Sequence, residues 1–502
     1  MKNIFKILFI LLVISGLSAC REEQVEKAET GFLKGKVVKR GSNEPVSNAK
    51  ITTAPTSTTV FTDTDGSFEI TDIPLGDYSV KAELSGFLAN YQAANLQNPG
   101  QVVTIVFEME DDESLNTAPS QPELISPVDN AENQPLSVEL TWKSTDPDED
   151  DVLVYSLIVK NDQNTDVVEV ADLKEAAYTL KDLKFGVSYF WQVSVTDGIH
   201  DAVLSPVYKF TTSKTPNNRY HFVRKENGNY FIISTDESGS NSFRFTDTSF
   251  NSWRPRKNNN AGLIAFLRTE GGSPHIFTAK PDGSEVFKVT SIPLGGFNNI
   301  ELDYSWSTNG KEFLYANFDK LYRINKDGSG QQLVYTTPDG SMITEVDWSY
   351  DNSKIAVKTN DYNGYKVKIY VIDMLGNVLN TVLADTAGAA GGLNFSVDGK
   401  QLLFTHDVSG YQDSNYRQLN SHIFIYTLAD NTIRDISDES DKPNGTNDLD
   451  PRFSPNNAQV IFTNTSNDGI SQKNILSIDL NTTDEELTRT TLFENAEMPD
   501  YE

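Results

Sequence analysis

At 502 residues the chain is too long for one hydrophobic core, so several domains are expected. A formal net charge of −29, little altered by five histidines, repels phosphate backbones and excludes nucleic acid as a partner. The single cysteine leaves no disulfide within the chain, so each domain must be held by its core alone.

The chain opens with Lys2 and Lys6 and the unbroken apolar run from Ile7 to Ile14. A run this short is the core of a signal peptide, since a membrane-spanning helix needs about twenty residues. It ends in Leu17-Ser18-Ala19-Cys20, which resembles the lipobox of bacterial lipoproteins. The resemblance implies a signal peptide over 1–19, cleavage before Cys20, and a lipid on the Cys20 sulfur. That lipid would anchor the protein to a membrane without spanning it. The plainer alternative is an ordinary signal peptide with an incidental cysteine. Position two of the expected mature chain is Arg21 rather than Asp, which by resemblance to lipoprotein sorting in Gram-negative bacteria implies the outer membrane and a place in the cell envelope. Residues 20–30 are charged, have little to bury and read as a tether.

Over 31–110 the pattern is short alternating runs, such as Ser67-Phe68-Glu69-Ile70 and Tyr78-Ser79-Val80-Lys81-Ala82, which predict strands with one buried face. Asp65-Gly66 and Pro74-Leu75-Gly76-Asp77 are read as tight hairpin turns. Gly35, Pro45-Val46, Thr62-Asp63, Asp65-Gly66-Ser67-Phe68, Ile73-Pro74, Gly76-Asp77-Tyr78 and Gly86-Phe87 resemble the carboxypeptidase regulatory-like domain. The resemblance implies a small transthyretin-like β-sandwich that spaces or interacts and has no catalytic residues.

A linker over 111–120 leads to a second sandwich over 121–213. Trp142 on an early strand and the run Tyr189-Phe190-Trp191 on a late one suit a seven-stranded immunoglobulin-like sandwich. The strand order resembles a fibronectin type III domain, which implies a binding or spacing module. Its acidic turn, Asp146 to Asp151, offers the hard oxygen ligands that calcium takes, with Asp146, Asp148 and Asp150 as candidate ligands. The turn lacks the glycine and downstream glutamate of an EF-hand, and the plainer reading is a solvated acidic turn.

From 214 to 502 the sequence repeats. A strand–turn unit recurs from Tyr230, Ile276, Leu321, Ile369, Ile423 and Ile475, at intervals of 46, 45, 48, 54 and 52 residues. That period holds four short strands, one propeller blade. A second mark precedes it, an aromatic followed by a polar turn: Trp306-Ser307, Trp348-Ser349, Phe395-Ser396, Phe453-Ser454 and a worn Trp253-Arg254. The aromatic is expected to pack between blades. These units resemble the TolB-type propeller repeat. The first blade lacks an inner strand, and Glu497-Met498-Pro499-Asp500-Tyr501 aligns with Leu449-Asp450-Pro451-Arg452-Phe453, so the last strand is expected to close the ring. The fold class is therefore all-β, two small sandwiches followed by a six-bladed propeller.

Long connections fall on one propeller face: Ser291–Asp303, Asn360–Lys366, Asp407–Ser421, Asp438–Asp450 and Asn464–Lys473. Loops on a rigid ring are the usual place for binding, and Tyr411, Tyr416, Arg417, Asn444 and Asn447 are the candidate ligand-binding residues. No Gly-x-Ser-x-Gly elbow and no His-x-x-x-His or paired-cysteine zinc set is present. The expectation is a non-catalytic envelope protein that binds a protein or glycan partner through this face, with no cofactor beyond a candidate calcium. A polysaccharide lyase or hydrolase, or a structural subunit of an envelope complex, are the alternatives.

Overall fold

The computed structural model describes residues 29–148, 151–481 and 487–502. The expected signal peptide, the lipid site Cys20 and the candidate ligand Asp150 lie outside the described residues. Among those described, the one helical element is the 3-10 turn Glu113–Leu115, and the rest is strand and turn. The described residues cluster into two compact units. One carries the sandwiches up to Thr211, and the other carries the propeller together with the short stretches 133–136 and 182–187.

In the first sandwich, Thr30–Lys39 lies between Ser67–Pro74 and Val102–Met109 in one sheet. The facing sheet runs Val60–Phe61, Lys50–Ala54, Gly76–Glu83, Asn90–Leu96. Alternation buries Phe68 and Ile70 against Val37, Ile51, Val80 and Phe107, while Glu69 faces solvent. The two turns read as hairpins are instead corners between layers. Val60–Phe61 pairs with Lys50–Ala54, whereas Ser67–Pro74 pairs with Thr30–Lys39 in the other sheet. A sandwich chain must change layers, and compact turns can do this as well as join neighbours. Gly66, at φ +72°, is needed at one such corner, because a Cβ there would sit 2.4 Å from the Val37 carbonyl oxygen.

The second sandwich packs a three-stranded sheet (Glu123–Ser126, Val138–Lys143, Ala177–Leu180) on a six-stranded one built around Val154–Asn161 and Ser188–Thr196. Trp142 and Trp191 are both buried, and Trp142 meets Tyr155 edge-on with ring centroids 5.6 Å apart. It has nine strands rather than seven. Ala131–Gln134 and Val203–Leu204 are short additions that no alternation marked.

The propeller has six four-stranded antiparallel blades. Every expected strand–turn unit is the third strand of its blade: Asn229–Thr235, Ser273–Ala279, Lys320–Asn325, Val367–Asp373, Ser421–Thr427 and Asn474–Asp479. In blade one the inner strand is Glu497–Tyr501, paired with Tyr220–Glu226 through Tyr220↔Tyr501 and His221↔Asp500. The last strand of the sequence thus completes the first blade, and the ring has no open inter-blade edge.

The repeat aromatics pack between blades. Trp348 sits with Leu314 and Ala316 of the preceding blade and Ile355 of its own; Phe395 and Phe453 repeat the arrangement one and two blades on. The serine after each aromatic makes the same two bonds in four blades. Its hydroxyl donates to the Asx two residues on, at 3.0 Å from Ser307 and 2.7 Å from Ser349, Ser396 and Ser454. It also accepts the backbone N–H five residues on, at 2.9–3.0 Å. A single side chain therefore satisfies the turn that follows each inner strand.

Candidate functional site: two ends of the propeller channel

In an antiparallel four-stranded blade the turns between strands one and two and between three and four emerge on one face. The second-to-third turns and the crossovers to the next blade emerge on the other. The inner strands run from this loop face to the opposite end of the channel.

The long connections do lie on the loop face, but they are largely bound to the ring. Tyr416, 8 % exposed and at φ +57°, is packed with Phe297, Tyr365 and Ala389, and the buried Lys358 ammonium lies 5.9 Å from its ring centre. Asn447 is not in a loop. The connection expected over Asp438–Asp450 ends at Thr446, where the inner strand of blade six begins. Asn447 is buried, accepts the Ser421 N–H at 2.9 Å and donates to the Gln418 carbonyl at 2.8 Å. Tyr416 and Asn447 are therefore structural, because both are consumed in holding the Asp407–Ser421 connection. The Arg417 guanidinium donates twice to the Asn467 carbonyl of the neighbouring blade, at 3.0 and 2.6 Å. Tyr411 and Asn444 are exposed.

What this face presents is an arc of apolar side chains on the second-to-third turns of four consecutive blades. Phe318 (blade three), Tyr362 (blade four), Val408 with Tyr411 (blade five) and Ile470 (blade six) are 48 %, 75 %, 46 %, 39 % and 89 % exposed. Each has an aspartate nearby. Asp361, Asp413 and Asp468 accept backbone N–H groups of their own turns, which fixes the turn. Asp468 is pulled down to about 2 by the Ser471 hydroxyl and these N–H groups.

Inside the channel the inner strands are bulged at Arg254-Pro255, Asp450-Pro451 and Met498-Pro499, with φ of +52°, +49° and +53° at the first residue of each pair. Proline fits there because the inner strand is the edge of its sheet and its channel-facing side has no ladder to break. Asp303 is held by Arg256 at 2.6 Å and Arg452 at 3.0 Å, and Arg254 pairs with Asp450. Glu345 accepts the Gly392 N–H at 2.6 Å and pairs with Lys358 at 3.2 Å. A Cβ on Gly391 would collide with this carboxylate at 2.3 Å, so glycine there makes room for it. The space left near the loop face is about 60 Å³. The ion pairs thus plug the channel.

The opposite end opens into a funnel of about 270 Å³, lined by Arg256 to Asn260, Trp306, Asp347, Trp348, Tyr350, Asn394, Arg452, Asp500 and Glu502 among others. Asp347 is pushed up to about 6 by burial, against the opposing Phe395 N–H and Ser305 hydroxyl. Glu502 is pushed up to about 7 by burial and by Asp500 beside it. None of these channel residues was named from the sequence as a binding residue; Trp306 and Trp348 entered only as aromatics packed between blades, and Arg452 and Asp500 only as matching positions of two inner strands. The signal was present in Pro255-Arg256, Pro451-Arg452 and Pro499-Asp500, a proline and a charged residue just before or at the end of an inner strand.

The acidic turn of the second sandwich brings carboxylate oxygens of Asp146, Asp148 and Asp151 within 4.8 Å of one another. The 111–120 linker is tied to it. Asn116 donates to Asp151 at 2.6 Å and the Thr117 N–H to Asp148 at 2.7 Å.

Residues 33–110 match the family of the carboxypeptidase regulatory-like domain. No curated protein matches the sequence. Among solved structures, TolB from Acinetobacter baumannii is similar at 16 % identity and TM-score 0.44, over 63 % of this chain and 79 % of that one. A quinonprotein alcohol dehydrogenase-like protein from Bacteroides thetaiotaomicron is similar at 11 % identity and TM-score 0.43, over 77 % of this chain and all of that one. An oligogalacturonate lyase in complex with manganese is similar at 12 % identity and TM-score 0.35, over 55 % and 74 % of the two chains.

Proposed function

We propose that the chain is a non-catalytic envelope protein, lipid-anchored through Cys20, that holds a protein partner on the loop face of its propeller. The sandwiches, the second of fibronectin type III character, serve as a stalk between membrane and ring. The observation that carries this reading is the arc of Phe318, Tyr362, Tyr411 and Ile470, apolar side chains left exposed at corresponding turns of four successive blades. Exposed apolar side chains displayed on a rigid scaffold are what a protein interface uses. Asp303, Asp450 and Glu345 in the channel are already committed to arginine or lysine partners, which suits a plug better than an acid–base pair.

The test is photo-crosslinking in intact cells, with the crosslinking residue placed in the full chain at Tyr362 or Ile470 on the loop face and at Leu375 on the opposite rim. A discrete adduct from the first two positions and none from the third supports the reading. Adducts of equal yield from all three, or from Leu375 alone, sink it.

A further inference from the structure

The acidic turn of the second sandwich holds oxygen atoms that a propeller partner leaves unused. Asp146, Asp148 and Asp151 are all half-buried, and among the described residues none of them pairs with a lysine or arginine. Each spends one oxygen on the protein. Asp146 Oδ1 accepts the Asp148 N–H at 2.9 Å, Asp148 Oδ2 accepts the Thr117 N–H at 2.7 Å, and Asp151 Oδ2 accepts the Asn116 amide at 2.6 Å. The second oxygen of each accepts no hydrogen bond among the described residues. Three like charges are thus held within 4.8 Å of one another with no counter-charge.

An independent observation comes from the 111–120 linker. Asn116 Oδ1 is shut off from solvent and has no hydrogen-bond partner, and the same is true of Asp146 Oδ2. Among the described residues Asp146 Oδ2 is the one carboxylate oxygen in this state, and the one other such oxygen is Asn352 Oδ1, in a turn of blade four. The Asn116 amide nitrogen touches Asp151, so the oxygen of the same planar group stands at the edge of the cluster. A buried acceptor with no donor is costly, a charged one most of all, unless an ion or a water meets it. A water would donate to Asp146 and leave three carboxylate charges uncompensated. The donor set is oxygen throughout, which is what a hard cation takes. Oxygens on opposite sides of a calcium ion stand about 4.6–5.2 Å apart, twice the bond length, and the spread of the carboxylates fits that span.

We infer that Asp146, Asp148, Asp151 and Asn116 form a calcium site that clamps the 111–120 linker onto the second sandwich. The ion takes the spare oxygen of each carboxylate and the Asn116 carbonyl, and water completes its shell of about six to eight. Asp151 and Asn116 replace the alternation of the acidic turn as the guide to the ligand set, because the linker folds back across 35 residues to reach it.

The experiment is calorimetric titration of the chelator-treated full chain with calcium and with magnesium. One saturable calcium site is expected, with a Kd on the order of 10⁻⁴–10⁻³ M or tighter, and with magnesium roughly tenfold weaker or more. Asp148→Asn with Asp151→Asn keeps an acceptor for Thr117 and for Asn116 and should weaken calcium at least tenfold. Asn116→Ala should weaken it several-fold. Asp327→Asn, an exposed acid in a blade-three turn, should leave it unchanged. Calcium should also slow glutamyl-endopeptidase cleavage after the exposed Glu113 several-fold in the parent, and not in Asn116→Ala. No saturable calcium binding, unchanged affinity in the double variant, or equal loss in Asp327→Asn would overturn the site. Equal affinity for magnesium would overturn calcium as its ion. Unchanged affinity in Asn116→Ala, or cleavage at Glu113 indifferent to calcium, would overturn the clamp.

Discussion

The two ends of the propeller channel differ in how their side chains are spent. At the loop end, long connections rich in Asn, Asp and Tyr turn inward. Tyr416 and Asn447 are buried, Arg417 is bonded to the next blade, and the residues left outside are the apolar tips of short turns. At the funnel end stand the ends of the inner strands and the turns capped by Ser307, Ser349, Ser396 and Ser454. Yet that end holds the larger concavity, with carboxylates that have no ion pair. Loop length and polarity are thus poor guides to where a ring binds. A long connection on a closed ring has many polar groups of its own to satisfy, and it satisfies them on itself and on its neighbours.

The comparison can be broken most severely at the joint the two ends share. Deleting residues 497–502 removes the inner strand of blade one and with it Asp500 and Glu502. Loss of the cooperative propeller transition in urea is expected, together with aggregation through the freed Tyr220–Glu226 edge, both visible by intrinsic fluorescence and light scattering. A variant that unfolds with the parent's midpoint would mean the ring does not depend on this closure.

Next in size is Asp303→Asn, which leaves Arg256 and Arg452 buried without their carboxylate. The expected loss is about 3–5 kcal/mol of propeller stability. Arg434→Ala, which breaks an exposed pair with Glu439, should cost less than about 1 kcal/mol in the same denaturation series. Equal effects of the two would show that the channel pairs are no more than surface pairs.

Tyr416→Ala and Tyr411→Ala test the loop end directly. Removing the buried ring should cost about 3 kcal/mol, and removing the exposed one less than about 0.5 kcal/mol. The reverse order would return Tyr416 to the set of ligand-binding residues.

The smallest effect is the dependence on pH at the funnel end. Asp347 titrates at about 6 in the fold, above the ordinary value of 3.8, because burial disfavours its charge. The folded state therefore holds the proton longer than the unfolded state. Its contribution to stability is complete below about pH 4 and is lost as pH rises through about 6. Asp347→Asn should then be more stable than the parent at pH 7.5, by on the order of 1–2 kcal/mol after loss of one acceptor, and no more stable at pH 4. A difference that does not change between these two pH values would contradict the burial of this carboxylate.

Much of the architecture was legible because it rests on local, periodic signals. Alternation marked the strands, the spacing from Tyr230 to Ile475 marked six blades, and the likeness of 497–501 to 449–453 marked the strand that closes the ring. The turns at Gly66 and Gly76 could be located but not assigned, because a turn's residues set its curvature and not which sheet the next strand joins.

The candidate site was hardly legible at all. Tyr416 and Asn447 look like Tyr411 and Asn444 in sequence, and only packing separates the buried from the exposed. The channel charges come from five blades, with Arg256 and Arg452 nearly two hundred residues apart meeting on one Asp303 carboxylate. The sequence by itself determined the blades, their number and their closure, because these follow from short-range repetition. The tertiary structure alone decided which polar groups are spent on the ring and which stay free, because that depends on neighbours brought together only when the ring shuts.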